Sequence, residues 1–152
     1  AVPDTPKLVN MGILPGIGTD GAAHGGLSIW NEMRIFRSVM NVYHGVPLAE
    51  PAVMPAKTVL SMATEGGAAC MGLENAAIGE GNRADLIGID MDAPHLWISG
   101  QISNTLLESV EAGDVKHTVT GGKILMKNRE ILTLDEEKIR FLAREYKRKE
   151  RI

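Results

Sequence analysis

The sequence lacks the features that mark secreted, membrane-spanning and nucleic-acid-binding proteins. It has one cysteine in 152 residues, Cys70, which excludes an internal disulfide and favours a reducing compartment, the cytoplasm. No apolar run approaches the roughly 20 residues that a membrane-spanning helix needs. The net charge of -3 offers no basic field to nucleic acid or to an anionic membrane.

Motifs for phosphate or metal binding are also missing. There is no glycine-rich phosphate loop. The four histidines, His24, His44, His95 and His117, do not pair at the spacings that bind a metal, such as His-x-His. The sequence therefore contains no metal site that is complete in itself. The first residue is not methionine, which is consistent with processing or with a start partway through a longer chain.

The composition is that of a folded domain, with 44% hydrophobic and 23% charged residues. Residues 5–12 are typical of the end of a helix closed by Gly12. The apolar run 13–19 predicts a buried strand. Ser28 is expected to cap the next helix, which has one apolar face and ends at His44-Gly45.

A further helix is predicted to begin near Pro55, since proline suits a first helical turn. Gly66-Gly67 predicts either a break in that helix or the start of a second short helix. Cys70 lies on an apolar helical stretch and is expected to be a small core residue.

After Leu73 the pattern changes to short strands. Residues 84–90 predict a strand, and 115–120 and 123–127 predict a hairpin that turns at Gly121-Gly122. A final helix should start near Asp135, with Thr133 and Glu136 as a capping box. Its apolar stripe comprises Ile139, Leu142, Ala143 and Tyr146. The order predicts an α/β piece joined to a β appendage, with a seam near residues 73–78.

Asp20 is the strongest candidate for an active-site residue. It follows the apolar run directly, and active sites of parallel α/β folds gather where strands end. A carboxylate there can bind a metal or take a proton from water. The alternative is that Asp20 only caps a turn. His24 in the same loop could contact a substrate, or could be a solvated loop histidine.

Three stretches together resemble the amidohydrolase superfamily, in the branch of chlorohydrolases, guanine deaminase and the adenosylhomocysteine/methylthioadenosine deaminases. The first is GIGTDGAA at residues 16–23, followed by EMR at 32–34. The second runs from Pro55 through ATEGGAACMGLENAAIGEGNRADLIGIDMDAPH. The third is VKHTVTGGKILMKNREILTLDEE. Their order and spacing cover nearly the whole chain.

The resemblance implies the last strand–helix part of a (β/α)8 barrel for residues 1–73. It implies the C-terminal portion of a small β-sandwich for 74–132 and a terminal helix for 133–152. Family members hold one divalent metal, zinc or iron. The resemblance makes Asp20 a metal ligand and the proton acceptor for the attacking water. Histidines supply the family's other ligands, and those positions have no counterpart in this sequence.

The chain is thus expected to be a C-terminal part of a hydrolase that acts on cyclic C–N or C–Cl bonds, inactive by itself and not holding the metal alone. The intact enzyme would take a purine, pyrimidine or triazine-like ring. It would bind neither nucleic acid nor membrane, and it would form a homo-oligomer. The alternatives are a non-catalytic interaction module, with Asp20 a simple cap, and a degenerate homologue.

Overall fold

The computed structural model describes residues 2–21, 23, 26–50, 52–73, 76–97 and 100–150. These residues form a mixed structure of six α-helices and one small antiparallel sheet. The helices are α1 (Thr5–Asn10), α2 (Ile29–Met40), α3 (Ala56–Ser61), α4 (Gly67–Cys70), α5 (Ile102–Glu108) and α6 (Glu136–Glu150). The strands are β1 (Leu86–Ile89), β2 (Val115–Thr120), β3 (Lys123–Lys127) and β4 (Glu130–Ile131).

The chain divides into two compact units. The helical unit comprises residues 1–83 and 91–114, and the sheet unit comprises residues 84–90 and 115–152. None of the helices in the described part of the chain is long and apolar enough to cross a membrane.

The core of the helical unit is rich in methionine. Its buried members are Met33, Met40, Met54, Ala56, Val59, Met62 and Leu107. Three helices, α2, α3 and α5, meet through these side chains. Full burial of one such side chain stabilises the fold by about 1.5–3 kcal/mol. Methionine suits this position because its flexible thioether chain fills irregular space between helices.

Two helices of this unit end in the same way. At the end of α1 the Gly12 N–H donates to Val9 and the Ile13 N–H donates to Leu8. At the end of α4 the same pattern recurs around Gly72. Both glycines have positive φ, +80° and +69°, which this cap requires and which a side chain would strain. The prediction that Gly12 closes a helix is confirmed.

The predicted strand at 13–19 is wrong for the described chain. The segment has no regular secondary structure and is only partly buried. A strand needs a partner for its backbone ladder. Among the described residues, the segment donates the Ile13 N–H to the end of α1 and the Ile17 N–H to the Met62 carbonyl at 3.3 Å, and these two bonds do not form a strand ladder.

Helix α2 begins as predicted but continues further. The Ser28 hydroxyl accepts the Asn31 N–H at 3.4 Å, so Ser28 is the N-cap. The predicted end at His44-Gly45 is wrong, since a π-helical turn (Asn41–Gly45) and a 3-10 turn (Val46–Leu48) follow. Gly45 does not end the helix. It is buried against the Glu50 carbonyl, which a Cβ would approach to 2.6 Å.

The helix after Pro55 is also continuous. Pro55 is the N-cap of α3, and a π-helical turn (Met62–Gly66) joins α3 to α4. Of the two predicted alternatives, a break at the glycine pair is wrong, and a short α-helix that begins at Gly67 is confirmed, although it follows the π-helical turn without interruption. The prediction that Cys70 is a core residue is wrong. Cys70 is exposed at the last position of α4, where Ala68 faces the core instead.

The sheet unit is an antiparallel sheet of order β1-β2-β3-β4. The predicted strand and hairpin are confirmed. Gly121 and Gly122 have φ of +55° and +77° and form the two-residue turn between β2 and β3. Strand β4, which the sequence pattern did not indicate, adds two residues to the edge.

Helix α6 begins where the sequence predicts, but its cap and its surroundings differ. The Asp135 carboxylate accepts the Lys138 N–H at 2.9 Å, so the predicted capping box of Thr133 and Glu136 is wrong. Asp135 takes the role because it directly precedes the first helical residue. The predicted apolar stripe is exposed, and α6 has no buried residue.

Candidate active-site segment

Asp20 lies at the end of the segment that leads from α1 towards α2. Its carboxylate is exposed and makes no hydrogen bond or ion pair with a described residue. Helix α2 is capped by Ser28 and not by Asp20. The backbone of Asp20 has φ of +54°, in the left-handed region, which non-glycine residues adopt at some cost and which is enriched at functional sites.

The loop after Asp20 is described only in part. Gly21, Ala23 and Gly26 are described and exposed. His24, the candidate substrate contact, lies outside the described residues. The structure therefore describes Asp20, the predicted metal ligand, but not His24, the predicted substrate contact.

The segment before Asp20 lines a groove. The groove has a volume of about 400 Å³ and is bounded by residues of the same unit. Pro15, Gly16, Ile17 and Gly18 form one wall, and the middle of α2 forms another. Glu32 is the acidic residue among the lining groups, which are otherwise mainly apolar.

Helix α2 is fixed to the end of α5 by side chains that donate to backbone carbonyls. The Trp30 indole N–H donates to Leu106 at 2.9 Å. The Arg34 guanidinium donates to Leu107 at 3.0 Å and to Val110, and it pairs with Glu111 at 2.9 Å. The last carbonyls of a helix have no partner within it, so Arg34 acts as a C-terminal cap of α5.

Arg37 extends this attachment by one turn. Its guanidinium donates to the Met54 carbonyl at 3.0 Å and pairs with the Glu108 carboxylate. The apolar spacing of α2 gave no indication of these three anchors. An arginine or tryptophan on the edge of an apolar stripe is the signal that could have suggested them.

The described histidines have structural partners. His44 contacts the Pro3 carbonyl at 3.3 Å, and His117 accepts the Asn128 N–H at 3.4 Å. His95 pairs with the buried Asp114 carboxylate at 2.9 Å, which also accepts the Glu111 N–H.

A metal of the kind that the resemblance implies would find one ligand position here. A carboxylate oxygen is a normal zinc ligand, and the Asp20 carboxylate is exposed and not engaged by other described groups. In the described ranges there is no group of three or more histidine, cysteine, aspartate or glutamate residues that could hold a metal ion. Asp20 fits as one member of a ligand set, and the described residues do not make up the rest.

Comparison with known proteins gives the chain a family. Residues 2–125 match the model of the amidohydrolase family. The chain is 39% identical over 139 residues to a 5-methylthioadenosine/S-adenosylhomocysteine deaminase of Dictyoglomus thermophilum, covering 90% of this chain and 32% of the relative. It is 35% identical over 135 residues to a 5'-deoxyadenosine deaminase of Methanosarcina acetivorans, covering 88% of this chain and 30% of the relative.

Solved structures show the same fold. An adenosine deaminase from Xanthomonas campestris with bound zinc matches 97% of this chain and 33% of its own, with a TM-score of 0.86 and 24% identity. The atrazine chlorohydrolase of Arthrobacter aurescens complexed with zinc matches 91% of this chain and 30% of its own, with a TM-score of 0.77 and 24% identity. The chain thus spans about a third of the length of the proteins it matches. With 124 of its 152 residues, 2–125, inside the family model, this chain belongs to the amidohydrolase family.

Proposed function

We propose that the chain is the C-terminal part of a metal-dependent hydrolase of the deaminase or chlorohydrolase type, in which Asp20 is both a metal ligand and a proton acceptor. The observation that carries this proposal is the exposed Asp20 carboxylate, held in a left-handed conformation in a chain of this family. Relatives named as deaminases of adenosine derivatives, 35–39% identical, support it.

The chemistry proposed is hydrolysis at a ring carbon. A divalent metal, zinc or iron, when bound would make water a stronger nucleophile near neutral pH. The Asp20 carboxylate would accept a proton from the attacking water and return it to the departing amine. The water oxygen ends on the ring carbon, and ammonia, or chloride in the chlorohydrolase case, leaves.

The proposed setting is the family's fold. Residues 1–73 would be the last strand–helix part of a (β/α)8 barrel, 74–132 part of a β-sandwich, and 133–152 a terminal helix. The fold likeness to zinc-bound family members, with TM-scores of 0.86 and 0.77, supports this arrangement. In that setting the segment 13–19 would find strand partners that the described residues do not provide.

The substrate proposed is a small heterocycle of the purine, pyrimidine or triazine class. Its support is the names of the relatives and structural neighbours. His24 would contact this ring from the loop after Asp20. We further propose a cytoplasmic homo-oligomer that binds neither nucleic acid nor membrane, consistent with the single cysteine and the net charge of -3.

The chain by itself is proposed to be inactive. The described residues hold no group of three metal-binding side chains, so the remaining ligands would come from outside them. This observation also supports the second candidate, a non-catalytic module. The two candidates differ in what the full-length protein that includes residues 1–152 would do with zinc and substrate.

The test is Asp20→Asn in that full-length protein, because asparagine tolerates the same φ but is a weaker ligand and no base. We expect kcat/KM for adenosine-type substrates to fall by roughly 10²- to 10⁴-fold. Bound zinc, measured by elemental analysis, should fall with it. Glu80→Gln, at an exposed loop carboxylate, is the matched control and should change neither. Unchanged zinc and turnover in Asp20→Asn would contradict the proposal, and turnover by residues 1–152 alone would contradict the inactivity.

A further inference from the structure

The segment that leads to Asp20 lies unusually close to Gly66 and Gly67, where the π-helical turn after α3 meets α4. A Cβ placed on Gly66 would be 2.5 Å from the Pro15 carbonyl oxygen and 3.4 Å from the Leu14 side chain. A Cβ placed on Gly16 would be 3.1 Å from the Gly67 Cα and 3.1 Å from the Cys70 sulfur. A side chain at Gly66 would overlap the Pro15 carbonyl, and one at Gly16 would be tighter than an ordinary contact, so the close approach depends on glycine most strongly at Gly66.

The π-helical turn Met62–Gly66 forms the surface that the segment before Asp20 contacts. In a π-helical turn the backbone N–H bonds five residues back, and here the Gly67 N–H reaches the Met62 carbonyl. The same carbonyl accepts the Ile17 N–H at 3.3 Å. One helix carbonyl thus holds both the turn and the incoming segment.

The contact between this segment and the helix ends three residues before Asp20. Ile17 is the last residue of the segment with a backbone hydrogen bond to the helix, and Gly18 meets no described atom within 4 Å of a Cβ. Asp20 itself makes no bond to a described residue. Pro15, Gly16 and Ile17 are therefore the residues nearest before Asp20 that contact the helix, and the position of the Asp20 carboxylate depends on where they are held.

We propose that Gly66 is a positioning residue for Asp20, acting through its contact with Pro15 and the adjacent Ile17–Met62 hydrogen bond. The proposal rests on the proposed function, in which the Asp20 carboxylate is a metal ligand. A side chain at Gly66 would push the segment away from the helix and displace that carboxylate. Displacement of a ligand's support by a fraction of an ångström lowers metal affinity and rate without removing the ligand.

The helix offers a matched control one residue away. A Cβ on Gly67 would meet the Met62 carbonyl at 3.8 Å, an ordinary contact. Gly66→Ala and Gly67→Ala therefore make the same chemical change in the same helix but differ in the clash with Pro15. Gly16→Ala is a milder second variant, useful where Gly66→Ala folds poorly, and Gly18→Ala is its control because that position is open.

The test measures zinc affinity by chelator competition in the full-length protein, together with hydrogen–deuterium exchange of a peptide covering residues 13–20. Gly66→Ala should raise the zinc dissociation constant on the order of 10- to 100-fold and speed exchange in that peptide. Gly16→Ala should act in the same direction, and Gly67→Ala and Gly18→Ala should leave both unchanged. Met40→Ala, a buried residue of the same unit, should lower the unfolding temperature without changing zinc affinity.

Equal zinc affinity in Gly66→Ala and Gly67→Ala overturns the positioning role. So does a loss of affinity in Met40→Ala as large as that in Gly66→Ala, because stability alone would then account for the effect. Failure of the underlying function has a different signature, since Asp20→Asn would then bind zinc as tightly as the unchanged protein.

Discussion

Helices α2 and α6 both carry an apolar stripe at helical spacing, yet their surroundings differ. Helix α2 buries Met33 and Met40, which are 3% and 1% exposed. Helix α6 has no buried residue, and Leu142 on its stripe is 54% exposed. Three side chains of α2 donate to carbonyls outside the helix, whereas the ion pairs of α6 lie along its own surface.

An apolar stripe predicts only part of a helix's surroundings. The stripe indicates which face of a helix would pack, because burial of that face is the driving force. It does not indicate what the face packs on. In α2 that information lies in Trp30, Arg34 and Arg37, whose donors need acceptors at fixed places. In α6, Arg140 and Arg148 pair with Glu136 and Glu145 of the same helix.

The largest effect should come from the buried stripe. Met40→Ala removes a side chain that is 1% exposed and leaves a cavity, so the free energy of unfolding should fall by about 3 kcal/mol. Leu142→Ala makes a comparable truncation on α6, where the change should be under about 0.5 kcal/mol. Urea unfolding of both variants measures the contrast. A loss in Leu142→Ala equal to that in Met40→Ala would mean that α6 is covered.

The arginine anchors come next. Arg34→Ala leaves the Leu107 and Val110 carbonyls without their charged donor and should lower the free energy of unfolding by about 2 kcal/mol. Arg140→Ala removes an exposed pair with Glu136 at 3.7 Å and should cost under about 0.5 kcal/mol. Arg34→Lys keeps the charge but not the fork geometry and should fall between these values. Equal losses in the two alanine variants would contradict the anchor.

The smallest effect separates the two N-caps. Ser28→Ala should lower the free energy of unfolding by about 1 kcal/mol, because α2 is part of the packed core. Asp135→Ala removes a cap of similar geometry, but α6 contributes no buried side chain. We expect faster amide exchange in the first turn of α6 and an unchanged midpoint of urea unfolding. A shift of that midpoint in Asp135→Ala would show that α6 unfolds together with the core.

Local signals in the sequence were sufficient for the elements that depend on a few adjacent residues. The Gly121-Gly122 turn, the Gly12 cap and the Ser28 cap are examples, since each is fixed by backbone angles or by one side-chain acceptor. The start of α6 was predicted only in part. The helix begins where expected, but its N-cap is the Asp135 carboxylate and not the Thr133 hydroxyl.

Features that depend on distant partners were missed. The run 13–19 has the composition of a strand, but a strand is defined by its neighbours. Helix α5 was not predicted, because its sequence ISNTLLE has few strong helix formers and owes its stability to Leu107 in the core and Arg34 at its end. For the candidate site, the resemblance identified Asp20, while the contact between Pro15 and Gly66 could only come from the structure.

The π-helical turn at Met62–Gly66 makes the length of this stretch as important as its composition. A π-helical turn is equivalent to one residue inserted into an α-helix. Deleting one residue there would let this stretch close as ordinary α-helix, and the residues on either side would keep nearly the same facing, because the wide turn already absorbs the extra residue. Val59 before the turn and Ala68 after it could then stay in the core, but the wide turn that contacts Pro15 would be lost. A one-residue deletion in the turn should therefore disturb the segment before Asp20 more than the core, whereas a deletion of the same size in the exposed loop 76–81 should be harmless.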